Sequence, residues 1–94
     1  MTGDNQLDLR ALAEIEKRRL EELGAPTDRK DGEPIVPTHV AELHVLHKSR
    51  GYLKKMRARG KAPRHVINGV GSEQTARKWY RITELLPLRR DEAA

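Results

Sequence analysis

The chain has 94 residues, with 19 Lys or Arg against 14 Asp or Glu for a net charge of +5, and no cysteine. A chain this short buries a modest share of its surface, so it forms one small domain with at most an appended element and has no room for a large enzyme-type pocket. Without cysteine there is no disulfide framework and no thiolate metal site, and no apolar run approaches the roughly 18 residues of a membrane span; the chain reads as soluble and cytoplasmic.

Charge is uneven along the chain. Residues 1–34 carry six basic and nine acidic side chains, residues 35–94 thirteen and five, and Lys48 to Arg81 alone holds eleven basic residues against Glu73. Self-repulsion on that scale is offset when the block meets a polyanion and releases its counterions. Leu, Ile and Val total twenty and Phe is absent, near the lower border for a packed core, so a thin core is expected.

In chain order, Asn5 reads as an N-cap for an amphipathic helix over about Gln6–Leu23. Leu9, Leu12, Ile15, Leu20 and Leu23 mark its apolar positions, and Gly24 with Pro26 stops it. Residues 25–34 contain two prolines, a glycine and no large apolar side chain, so they read as a linker, making 1–24 a separate element for self-association or partner docking. A second helix, about Thr38–Leu46, turns Val40, Leu43 and Leu46 inward. His47 and Lys48 form a turn, Ser49 supplies a capping hydroxyl, and a third helix runs to Arg59 with Gly60 as its stop. Its inward side is Tyr52, Leu53 and Met56. Arg64–Asn68 and Lys78–Ile82 read as the strands of a hairpin with a long polar tip over Gly69–Arg77. Thr83 then caps a short helix, Glu84–Leu86 or slightly beyond, which Pro87 stops unless it sits in the first turn, and the tail 89–94 frays.

Two short helices joined by a turn, the second basic, and then a basic hairpin describe a winged helix-turn-helix. The second helix of such a module enters the major groove N-terminus first, and the hairpin lies along the neighbouring backbone. Arg50, Gly51 and Lys54 then face base edges, with Arg50 as the bidentate reader of guanine and Gly51 letting the backbone approach the groove floor. Thr38 at the start of the second helix joins the DNA-binding set. Lys48, Lys55, Arg57, Arg59, Lys61, Arg64, Arg77 and Lys78 supply phosphate contacts that orient without reading sequence.

Four motifs carry a resemblance. Val40-Ala41-Glu42-Leu43, Ser49-Arg50-Gly51-Tyr52-Leu53, Arg59-Gly60-Lys61-Ala62-Pro63-Arg64 and Trp79-Tyr80-Arg81-Ile82-Thr83-Glu84-Leu85-Leu86 resemble, in order, the MerR-like winged-helix module of phage excisionases and AlpA-type regulators. The likeness covers residues 35–88. It departs from the family in a longer turn near Val45–Lys48 and a longer hairpin loop. The resemblance implies a mainly α fold with a small β-hairpin, a MerR-like winged helix-turn-helix preceded by the N-terminal amphipathic helix. It also implies a protein without chemistry or cofactor that binds direct repeats at a phage attachment site, bends the DNA and directs integrase toward excision.

The N-terminal helix lies outside the resemblance. Its mixed charges suit protein contact, so it is expected to join protomers in head-to-tail arrays or to meet integrase, with packing on its own core as the competing reading. A transcriptional regulator with the same module is the alternative function, and an RNA-binding role is a weaker third. His39, His44 and His47 lie close in sequence but at poor helical spacing for a zinc site. Ser49 reads as a cap rather than a nucleophile, and Tyr80 as a core residue beside an open Trp79.

Overall fold

The structure, a computed structural model, describes residues 2–68 and 77–93, with side chains over 9–68 and 77–89. Helix α1 spans Thr2–Glu22, so Asn5 lies inside it rather than capping it. Gly24 ends it as its sequence predicts: the Gly24 N–H reaches Glu21 O at 3.0 Å and the Ala25 N–H reaches Leu20 O at 2.9 Å, satisfying carbonyls of the last turn. Leu20 and Ala13 are fully buried, and Leu9 packs beside them. At about 100° per residue Leu9 and Leu20 share a face, whereas Leu12 and Ile15 point roughly 60° or more round the helix and Leu23 lies past its end, which is why the apolar set divides. The helix is therefore part of the core and not a separate element.

Residues 25–34 are not a linker. Strand β1, Asp28–Lys30, pairs with β2, Glu33–Pro37, in an antiparallel hairpin in which Lys30 faces Glu33. Between them Asp31 and Gly32 both take positive φ, 54° and 82°, as a type I′ turn requires. Lys30 Nζ also donates to the Ile67 carbonyl, and Asn68 Nδ2 to Asp28 Oδ2 at 2.8 Å, which tie this hairpin to the next one. Strand β2 continues to its other neighbour. It pairs with β4, Lys78–Arg81, which pairs with β3, His65–Ile67, so the four-stranded antiparallel sheet runs β1-β2-β4-β3. Pro34 and Pro37 are tolerated inside this sheet because each comes where one neighbour has already ended: β4 pairs only from Ile35 onward and β1 only up to Ile35.

Helix α2, Thr38–Val40, follows β2 directly and widens into a π-helical stretch, Ala41–Val45. Helix α3 is Tyr52–Ala58. Helix α4 is Ile82–Ala93, so it runs through Pro87 instead of stopping there, and Arg89 belongs to it rather than to a frayed tail. Pro87 lacks the N–H that Thr83 O would accept. What holds α4 past that point is packing of Leu85, Leu86 and Leu88, together with Arg89. Arg89 donates to Val45 O at 2.6 Å and to Glu16 Oε2 at 2.8 Å, while Arg19 donates to His44 O at 2.8 Å and also pairs with Glu16. Two arginines thus satisfy the last carbonyls of the π-helical stretch, and Glu16, only 6% exposed, balances both.

The described fold is therefore roughly half helical around a four-stranded antiparallel sheet, a larger β component than the one hairpin read from the sequence. Val36, Val40, Val45, Leu53, Tyr80, Ile82 and Leu85 fill the space between sheet and helices. Tyr80 is core, as expected, but its hydroxyl finds no hydrogen-bond partner among the described residues, and burial pushes its pKa up.

Candidate nucleic-acid interface

The turn between the π-helical stretch and α3 is built around one carboxylate. Glu42 is 4% exposed; its Oε2 accepts the Gly51 N–H at 3.1 Å and the Leu53 N–H at 2.9 Å. Its backbone carbonyl accepts the Lys48 N–H at 2.8 Å. Ser49 is not the helix cap. Gly51 holds the cap position, the first-turn donors are satisfied by Glu42 across the turn, and Ser49 contributes only its carbonyl, to the Tyr52 N–H at 3.2 Å. Gly51 has φ 91°, a left-handed backbone that a side chain would strain, which lets the chain enter α3 at this angle. His47 takes φ 56° in the same turn, where a glycine would be less strained. The stretch above it is widely wound, with Leu46 N–H on Ala41 O at 2.9 Å.

From this turn the sites expected to touch DNA diverge in role. Arg50 and Gly51 line an open concavity together with Thr38, His39, Glu42 and Arg77, so the start of α2, the start of α3 and the base of the hairpin meet there. Thr38 spends its hydroxyl on the Lys78 carbonyl at 3.0 Å, which fastens α2 to β4. On α3, Leu53 is buried and Tyr52 and Met56 half-buried, which leaves Lys54, Lys55 and Arg57 exposed. Lys48 lies with its Nζ 5.6 Å from the Tyr52 ring centroid, a cation–π contact that orients its ammonium. Arg50, Arg59, Lys61, Arg64 and Arg77 are exposed, and Lys78 is half-buried. Of the expected set, the twelve positions divide into a lined groove, a basic α3 flank and the hairpin; residues 69–76, the expected tip, lie outside the described residues.

Electrostatics differ along α1, β1 and β2 and at the Arg81 end of β4. Arg29 pairs with Glu14, Lys17 with Glu21, and Arg81 with Glu33 and Glu84. The Arg29 guanidinium holds the Glu14 carboxyl below its ordinary value, Lys17 does so for Glu21, and the Asn68 amide does so for Asp28. By contrast Arg50, Lys54, Lys55, Arg57, Arg59, Lys61, Arg64, Arg77 and Lys78 form no ion pair with another described residue. Leu12, Ile15 and Leu23, three of the five positions read as a protein-docking face, are 44%, 64% and 60% exposed, while Leu20 and Leu9 are committed to the core.

Sequence reasoning missed Glu42 and His39 as parts of this site. Glu42 had a signal: it is the one acid between Glu33 and Glu73. Among the described residues no group of three or more His, Asp or Glu is placed to hold a metal ion, and no described helix is long and apolar enough to cross a membrane. Compared with known protein families, curated proteins and solved structures, the chain matches none.

Proposed function

We propose that the chain is a sequence-specific double-stranded DNA-binding architectural protein of the winged helix-turn-helix type. The segment from Arg50 through α3 enters the major groove, and the β3–β4 hairpin grips the adjacent backbone. The observation that carries this reading is the set of exposed cations on α3 and around the hairpin with no carboxylate partner among the described residues, together with the groove that Arg50 and Arg77 line with Thr38. Cations that hold a fold together are paired; cations held out to solvent on one flank are available to phosphates. In the excisionase reading, protomers occupy adjacent direct repeats at a phage attachment site, bend the DNA and guide integrase toward excision. The exposed Leu12, Ile15 and Leu23 supply the contact between neighbouring protomers or with integrase.

The test is a salt titration of duplex affinity by fluorescence anisotropy. With about six phosphates engaged, log affinity falls against log salt with a slope of about −5, and a slope near zero overturns the reading. Footprinting then separates the two functions the module serves: direct repeats fit an excisionase, a palindrome fits a transcriptional regulator.

A further inference from the structure

We infer that Glu42 is the positioning residue for sequence readout: it holds the Arg50–Gly51 peptide in the orientation from which Arg50 meets a base edge. The inference rests on the DNA-binding reading above. Three bonds from one residue bracket the connection, the backbone carbonyl holding the Lys48 N–H and the carboxylate Oε2 holding the Gly51 and Leu53 N–H groups. Between those anchors lie only Ser49 and Arg50. The turn also contains His47 and Gly51 at positive φ, so it is an improbable loop conformation that needs an external constraint to persist.

A long arginine side chain reads a guanine only if its Cα is fixed to a fraction of an ångström, because bidentate hydrogen bonds tolerate little misalignment. Phosphate contacts by flexible lysines and arginines do not share this demand. Loss of Glu42 therefore separates two properties that a general loss of folding would lower together: preference for one sequence, and affinity for any duplex. Because the Gly51 and Leu53 amides go to the same oxygen, Oε2, a glutamine carbonyl in that place can accept both, whereas alanine accepts neither.

The experiment uses the full chain and two probes of equal length and composition, a duplex selected from a randomised library by the wild-type protein and a scrambled version of it. Glu42→Ala is expected to reduce the ratio of the two affinities about tenfold or more, with affinity for the scrambled duplex and its salt slope changed less than about twofold. Glu42→Gln is expected to restore most of the ratio. In the wild-type chain the Gly51 and Leu53 amides should exchange slowly with solvent, a measurement that needs no variant to fold. An unchanged ratio in a folded Glu42→Ala, equal loss on both probes, or fast exchange at both amides overturns the positioning role and leaves the DNA-binding reading intact. A wild-type chain that binds neither the library nor any duplex overturns both.

Discussion

The two flanks of this small protein handle positive charge in opposite ways. Lys17, Arg19, Arg29, Arg81 and Arg89, on α1, β1, the end of β4 and α4, each meet a carboxylate, and two of them also reach main-chain carbonyls of the π-helical stretch. Around α3 and the hairpin, exposed Arg50, Lys54, Lys55, Arg57, Arg59 and Arg64 have no such partner among the described residues. On the first flank charge serves cohesion; on the second it adds self-repulsion, and substitution there should disturb binding rather than folding.

The largest expected effect lies on the unpaired flank. Arg50→Glu with Lys54→Glu should lower duplex affinity by on the order of 100-fold while thermal stability holds or rises slightly, measured by anisotropy and calorimetry. Loss of stability with affinity retained would mean that these cations serve the fold rather than binding. On the paired flank, Arg89→Ala leaves Val45 O and part of the Glu16 charge uncompensated. Discounted for the partial exposure of Arg89, it should cost about 1–3 kcal/mol in denaturant unfolding with little direct effect on duplex affinity.

A third variant probes the apolar stripe at the edge of the paired flank. Truncating α1 would remove the buried Ala13 and Leu20 and unfold the core, so the informative change is Ile15→Lys, at an exposed position. It should leave stability within about 0.5 kcal/mol and weaken cooperative binding to adjacent sites while sparing a single site. Unchanged cooperativity would remove the stripe from the interface.

Acid titration sharpens the same contrast. Glu14, Glu21 and Asp28 have folded pKa values below their unfolded ones, so the stability they contribute is present above the unfolded value, near 4, and is lost as pH falls through the folded values. The melting temperature should therefore fall between about pH 5 and 3, and Glu14→Gln should flatten that fall. The smallest effect belongs to neither flank: Tyr80→Phe removes a buried hydroxyl without a partner among the described residues and should be neutral or stabilising by up to about 1 kcal/mol.

Much of the local structure was legible in the residues. Gly24 and Gly60 end α1 and α3 as expected, and the β3–β4 strands fall where β-branched and aromatic residues cluster after Pro63. The β1–β2 hairpin was missed although Asp31-Gly32 is a strong turn signal. The strands beside it are charged or proline-containing, so no alternating apolar pattern advertised them; their pairing depends on β4 and on Lys30 and Asp28 reaching the β3 end. Pro87 misled in the other direction, because local propensity predicts a stop where Leu88 packing and Arg89 bonding carry the helix on.

What the sequence determined by itself was the imbalance: a basic block from Lys48 to Arg81 with Glu73 as its sole acid, and a nearly isolated acid, Glu42, just before it. Composition and order suffice for that because charge is a property of residues, not of their arrangement. Which cations are neutralised, and that Glu42 clasps the turn ahead of α3, was decided only by tertiary structure. Ion pairs and caps act over a few ångströms, and the partners here lie as far apart in the chain as Glu16 and Arg89. The same holds for the division of α1 into buried Leu20 and exposed Ile15, which helical periodicity permits but only the position of the sheet and α4 selects.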